Sequence, residues 1–317
     1  MVRVYILIHK KKMKKLIFLI SFIILGINLF GIDKKIEMKK LILKIRDKSP
    51  KNFIIIPQNG TDIYFQENKE IDKEMIEAID GVTQESLFYG YPKYGKRTPS
   101  QEKEDLLDNL RILKSLGKII MTVNYTNSIY GKWRSKKLSE NNNFLNYSPK
   151  DREVTEIEKR VSFENNADIV SLSDGKNFLY LLNPEKFKHK AEYLDILSQT
   201  TYDILIIDPY FKKIKLTLED INKLKEKPQG GKRLIISYFS VGEAEKYRKY
   251  WKDEWDKKLP NWISHENENW EGNYIVKYWS KEWQEIIEDM LGTQIKSGFD
   301  GVFLDTIDTY QSFEEGE

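Results

Sequence analysis

The stretch "GFDGVFLDTIDTY", residues 298–310, holds a turn, a strand and a charged strand end in one short run. Gly298 and Gly301 punctuate its start, and Gly301–Leu304 is continuously apolar, as a strand buried on both faces of a parallel sheet should be. Asp305 and Asp308 follow at the C-terminal end, where α/β barrels place their reacting groups. Working outward, runs of the same kind recur at Phe53–Ile56, Ala78–Val82, Lys118–Val123, Ala167–Leu172, Phe178–Leu182, Ile204–Ile207 and Leu234–Ser237, which makes eight strands.

Segments of helical period lie between them. The segment "IEMKKLILKIRDKS" (36–49) puts Met38, Leu41, Ile42 and Ile45 on one face. "TPSQ" at Thr98 offers a helix start, Leu106, Leu110 and Leu113 share a face, and Gly117 ends the helix. Thr217 starts another helix with Leu218, Ile221 and Leu224 inward, and Trp283, Ile286, Ile287, Met290 and Leu291 mark a third stripe after Ser280. Eight strands alternating with helices predict an α/β fold, a (β/α)8 TIM barrel. An open doubly wound sheet competes, but no GxGxxG follows a strand and no P-loop is present. Arg134–Asp151 and Asp253–Trp283 are predicted as loop insertions, the first polar and turn-rich, the second long and aromatic.

Composition narrows the function. The 317 residues contain no cysteine, which excludes disulfides, thiolate metal sites and cysteine catalysis. The run from Met13 to Gly31 carries two lysines, then an apolar segment and a small residue, so residues 1–31 are predicted to be a signal peptide with its start at Met13. An uncleaved anchor is the competing reading. The leader's six basic residues, Arg3, Lys10, Lys11, Lys12, Lys14 and Lys15, come without an acid, so removing them turns a net +3 into −3. That balance argues against a nucleic-acid partner. The expected location is secreted or cell envelope, with membrane contact only through the leader.

The strand ends supply the chemistry. They place Gln58 and Asn59, Gln84 and Glu85, Asn124 and Tyr125, Asp208 and Tyr210, Tyr238, Ser240 and Glu243, and Asp305 and Asp308 on one rim. Carboxylates arriving on four separate strands suit glycoside hydrolysis, which uses a carboxylic acid and a partner carboxylate across the scissile bond. The three histidines, His9, His189 and His265, have no metal-ligand spacing, so neither a metal nor a cofactor is expected. Six tryptophans fall from Trp251 to Trp283; Trp283 lies on its helix's apolar stripe and reads as core, whereas those in the loop are equally suited to stacking on sugar rings or packing on one another.

Six blocks together resemble glycoside hydrolase family 114, the endo-α-1,4-polygalactosaminidase family. They are "FIIIPQNG" (53–60), "AIDGVTQESLFYG" (78–90), "YDILIIDPYF" (202–211), "LIISYFSVGEAEKYRKYW" (234–251), "NWEGNYIVKYWSKEWQEII" (269–287) and "GFDGVFLDTIDTY". The resemblance implies a TIM barrel, a polysaccharide substrate of α-linked galactosamine and a catalytic pair at Glu85 and Asp305, with Asp308 as the alternative to the latter. Asp208, Tyr238, Glu243, Asp308, Gln58 and Asn124 would then bind substrate. A carbohydrate-binding protein without turnover, or a secreted barrel glycosidase for another sugar, are the alternatives.

The block order differs from the family's. Residues 36–172 resemble its barrel strands five to eight and residues 178–310 its strands one to four, so the single domain 32–317 is predicted to be circularly permuted. Two pairings follow: Gly301–Leu304 with Phe53–Ile56, and Ala167–Leu172 with Phe178–Leu182. Glu85 and Asp305 should then share a rim, at the ~5–9.5 Å carboxyl separation of glycosidase pairs.

Overall fold

The computed structural model describes residues 32–158 and 160–314. The predicted signal peptide lies outside the described residues. In chain order the helices and strands are α1 (Lys34–Lys48), β1 (Ile54–Pro57), α2 (Lys73–Ala78), β2 (Gly81–Glu85), α3 (Ser100–Ser115), β3 (Ile119–Val123), α4 (Ile129–Asn141) and β4 (Leu145–Tyr147). They continue with β5 (Phe178–Leu181), α5 (Lys190–Ser198), β6 (Ile204–Ile207), the hairpin β7 (Tyr210–Phe211) and β8 (Ile214–Lys215), α6 (Leu218–Lys225) and β9 (Leu234–Ser240). The last are β10 (Glu243–Glu245), β11 (Ile263–Glu266), β12 (Asn273–Val276), α7 (Lys281–Lys296), β13 (Gly301–Asp305) and α8 (Tyr310–Glu314).

One parallel sheet has the order β1-β13-β9-β6-β5, and a second, also parallel, has β2-β3-β4. β1 pairs with β13 in the register Ile54 opposite Gly301 through Pro57 opposite Leu304, the pairing expected from sequence across most of the chain. The two sheets meet where β1 and β2 lie side by side. Asp80 N donates to Ile55 O at 2.9 Å, and Asn59 N donates to Thr83 O at 2.8 Å. At the other flank β4 lies against β5, with the Tyr147 and Phe178 rings 5.8 Å apart.

The apolar strands are buried on both faces for a visible reason. Ile55, Val302 and Leu304 point into the cluster formed with α1, α2, α3 and α7, whereas Ile54, Ile56 and Phe303 point into the other. Side chains alternate at period two, so an unbroken apolar run serves two cores. Two Asp-Gly steps fix strand starts in the same way. Asp80 Oδ2 accepts from Ile55 N at 2.8 Å and Asp300 Oδ2 from Ile235 N at 2.9 Å, each capping a neighbouring strand. A Cβ on Gly81 would lie 2.6 Å from Ile119 O, and one on Gly301 would lie 2.3 Å from Ile54 O, so only glycine admits this approach.

The helices follow their caps. Asp33 accepts from Ile36 N and α1 buries Met38, Leu41, Ile42 and Ile45, packing between α2, α7 and α8. Thr217 and Asp220 form a capping box at α6, and Ser280 caps α7. In α3 the buried face is Leu107, Leu110 and Leu113, which leaves Leu106 half-buried.

Three expectations need correction. Ala167–Leu172 is not a strand and does not pair with β5. Its backbone is spent on Lys232 and Lys227 (Ile169 N to Lys232 O, 2.9 Å; Lys227 Nζ to Ala167 O, 3.0 Å), while Leu172 plugs the N-terminal end of β2 beside Gly81. The strand lies in β4, within the segment read as a loop insertion, and most of the rest of that segment is α4. α4 hides because it buries Gly131, Ser135 and Ser139 rather than an apolar stripe; the serine hydroxyls bond to helix carbonyls, Thr122 and Ser148. Asp253–Trp283 holds β11 and β12, which complete an antiparallel sheet with β10, and the start of α7.

Candidate active site

Asp305 ends β13 and is the hub of the rim. It accepts from Gln58 Nε2 at 2.9 Å, the Tyr238 hydroxyl at 2.8 Å and Thr306 N at 2.8 Å. These donors come from the ends of β1 and β9 and from the residue after Asp305, which sits in a left-handed turn at φ 61°. Tyr180 on β5 donates in turn to Gln58 Oε1 at 3.3 Å, which orients the amide. Burial pushes the Asp305 carboxyl above its ordinary value, opposed by the Tyr238 and Thr306 hydrogen bonds.

Glu85 ends β2. Its backbone N–H donates to Asn59 Oδ1 at 3.1 Å, and its carboxylate accepts from the Tyr125 hydroxyl. Burial first, and then the negative charge of Asp305, push Glu85 up to about 7. Asp308, also in reach of that charge, is pushed up to about 6, mainly by burial. Glu243 on β10 is held by Asn267 Nδ2 at 2.7 Å and Asn273 Nδ2 at 3.2 Å, and burial raises it to about 7. Glu85, Glu243, Asp305 and Asp308 therefore form one electrostatically coupled group, with Gln58 and Tyr238 hydrogen-bonded to Asp305. A carboxylic acid that keeps its proton near neutrality beside a hydrogen-bonded carboxylate can run acid–base chemistry on a neutral bond.

Two further residues predicted for substrate are committed elsewhere. Asn124 is wholly buried; its Oδ1 accepts from Phe88 N (2.8 Å) and Tyr89 N (3.2 Å), and its Nδ2 donates to Asn146. It clamps the loop after Glu85. Both Asp208 oxygens accept from Arg248, at 2.9 and 2.7 Å, and Arg248 Nε donates to Glu245 at 2.7 Å. Arg248, stacked near Tyr210, Tyr238 and Tyr247, is a positioning residue that strand-end reading did not find, because it lies in the connection after β10. Tyr125 is among the strand-end residues of the sequence; Arg152, whose charge reaches Glu85, is not, because it lies in the connection after β4.

Most of the tryptophans pack rather than wait for a ligand. Trp251, Trp255, Trp262 and Trp283 run ring to ring at 5.5, 5.2 and 5.3 Å from the surface into the core. Trp270 is the exception among the six, 37% exposed at the β11–β12 turn with the Arg152 guanidinium 5.8 Å from its ring. Among the described residues no group of three or more His, Asp or Glu is placed to hold a metal ion.

Parallel strands bring a raised glutamic acid and a braced aspartate to one rim, an arrangement suited to carboxylate acid–base chemistry. Residues 160–317 match the model of glycoside-hydrolase family GH114, and the chain belongs to that family over this half. It is 37% identical over 158 residues to an uncharacterized protein of Methanocaldococcus jannaschii, covering 49% of this chain and 44% of that one. A Thermotoga maritima protein is 45% identical over 76 residues, 24% of either chain, and a Deinococcus radiodurans protein 36% over 118 residues, 37% of either. The chain thus spans less than half the length of these relatives. A crystal structure of Aspergillus fumigatus Ega3 in complex with galactosamine is 25% identical over 42% of this chain and 43% of its own, with a TM-score of 0.29.

Proposed function

We propose that the protein is an exported glycoside hydrolase that cleaves an α-linked, galactosamine-type polysaccharide with Glu85 and Asp305 as its reacting pair. The observation that carries the reading is the coupling of these two side chains. Glu85 is raised to about 7 by burial and by Asp305, so it holds a proton for the leaving glycosidic oxygen at mildly acidic pH. Asp305 is braced by three donors that favour its anion, as needed for a nucleophile at the anomeric carbon or a base for water. Tyr125 orients the acid and Tyr238 the carboxylate. Carboxylates at Glu243 and Asp308 suit a substrate carrying ammonium groups.

The fold reading belongs to this proposal. β1–β2 bonding on one flank and β4–β5 packing on the other support closure of the eight parallel strands into a barrel, and α1 beside α7 and α2 occupies the place of the helix that would follow β13. The chain would then be a permuted barrel.

The test is incubation of the purified protein with defined α-1,4-linked galactosamine oligomers, with products resolved by mass spectrometry and anomer configuration by NMR. Cleavage that Glu85→Gln and Asp305→Asn each lower by a factor of about 10² or more supports the assignment. Binding without cleavage favours a carbohydrate-binding role. For export, N-terminal sequencing of extracellular protein is expected to begin near Ile32; full-length protein confined to the cytosol would remove that part.

A further inference from the structure

Helix α4 packs inward through Gly131, Ser135 and Ser139 and turns its large side chains to solvent. Ile129 is 90% exposed, Tyr130 61% and Trp133 59%, with the two rings 5.9 Å apart. At 3.6 residues per turn these three positions share one sector of the helix, about 100° wide, and Lys136 and Lys137 continue the same side one turn on. Phe163 extends the patch from the connection after β4. It is 59% exposed, and the Lys136 ammonium lies 5.0 Å from its ring. Its backbone sits in a left-handed turn at φ 57°, and its carbonyl accepts from Asn165 Nδ2 and Asn177 Nδ2, so a fixed main chain displays the ring.

Large apolar groups exposed together mark a contact surface, and charge narrows what it meets. α4 carries Lys132, Arg134, Lys136 and Lys137 but a single acid, Glu140. Lys132 pairs with Glu158, whereas Lys136 and Lys137 share Glu140 at 3.8 and 4.0 Å. Arg134 has no ion pair among the described residues and donates to the Tyr130 hydroxyl at 3.4 Å. The face is therefore net positive. A second copy laid on it would oppose like charges, and so would the leader, with its six basic residues and no acid. A cationic amino-sugar polymer is disfavoured in the same way, and Ile129 has no flat face to stack on a sugar ring. An aliphatic chain, a tyrosine and a tryptophan beside a row of cations suit an anionic bilayer instead. The aliphatic group enters the acyl boundary, the rings lie at headgroup level and the cations meet phosphates.

We propose that α4 and Phe163 form a docking face for an anionic phospholipid surface, with Ile129, Tyr130 and Trp133 entering the interface and Lys136 and Lys137 against the phosphates. The contact is separate from any made by the leader and does not rest on the hydrolase reading. α4 returns from the rim end of β3 to the opposite end of the parallel strand β4, so it runs alongside the strands. A bilayer against its outer face leaves the rim of Glu85 and Asp305 uncovered.

Because the chain contains no cysteine, Ile129→Cys carries a single environment-sensitive nitrobenzoxadiazole label in the full-length protein. Phosphatidylglycerol vesicles should shift its emission to the blue, and phosphatidylcholine vesicles should not. The same label at Ile214→Cys, exposed on the β7–β8 hairpin, should stay in water on both. The leader is common to both proteins, so it cannot create that difference. Adding Lys136→Gln and Lys137→Gln should lower the ratio of lipid-seated to water-exposed label about 25-fold, roughly fivefold for each cation, as read from its two fluorescence lifetimes. The proposal is overturned by a label at 129 that stays in water on phosphatidylglycerol, by an equal shift on phosphatidylcholine or at 214, or by a loss under twofold in the lysine variant. A blue shift that grows with protein concentration without lipid would mark a face between two copies and overturn it too. So would a label left in water on vesicles while the protein is held by dextran sulfate, which would indicate an anionic polymer.

Discussion

Glu85 couples stability to pH as well as to chemistry. Its carboxyl sits at about 7 in the folded protein against an ordinary 4.5. Below pH 4.5 both folded and unfolded chains hold the proton and the residue is neutral in its effect. Between about 4.5 and 7 the unfolded chain releases the proton while the folded one keeps it, so stability falls as pH rises, and above 7 the full cost persists. Glu85→Gln should therefore raise stability by about 2 kcal/mol at pH 8, a gain that disappears at pH 4, even as it lowers turnover. Thermal melts of both proteins across that range check it; a variant less stable than wild type at pH 8 would contradict it. The activity of the wild type should decline above about pH 7, as the acid loses its proton. At this scale the strand-end rule located Glu85, Asp305, Tyr238, Glu243 and Gln58, because chain direction alone puts such residues on one rim. It also reached Tyr125, two residues past β3, but could not reveal Arg248 or Arg152, which reach the site from connections, nor that Asp208 and Asn124 would be consumed by other partners.

At the scale of elements, what was legible had an apolar period and what was not had none. α1 announced Met38, Leu41, Ile42 and Ile45 by spacing, and all four are buried. α4 buries Gly131, Ser135 and Ser139, a face with no hydrophobic signal, and β4 pairs with β3 through only three residues, one of them Asn146. Ala167–Leu172 has strand-like composition, but its apolar residues seal an end rather than extend a sheet. The small face of α4 leads to a prediction. Ser135 is fully buried, with its hydroxyl 3.1 Å from that of Ser148, so Ser135→Leu should overpack the α4–β4 contact and cost about 1–3 kcal/mol. Ser135→Ala should cost less, about 1 kcal/mol, the value of a hydrogen bond. Urea denaturation measures both, and a leucine variant as stable as wild type would show that α4 is held loosely.

For the whole molecule, the order of the blocks carried one long-range pairing. Pairing of β1 with β13 follows from reading the chain as a rotated version of a familiar arrangement, and no local propensity would suggest it. The proposed permutation predicts that the rotation can be reversed. A gene placing residues 160–314 first, then a short Gly-Ser linker, then 32–158 should give a folded protein with the same circular dichroism and the same response to Glu85→Gln. Aggregation of that chain, with the original order folding well, would count against a permuted barrel. The β1–β13 seam also has a mechanical meaning. The two strands are parallel neighbours, so a load applied at Phe53 and at Thr306 pulls them from opposite ends along their shared axis. Such a load strains the seam's hydrogen bonds together in shear rather than peeling them one by one. Stretched between those points, the protein should resist until the seam fails as a unit, and that failure would open the rim between Gln58 and Asp305 first.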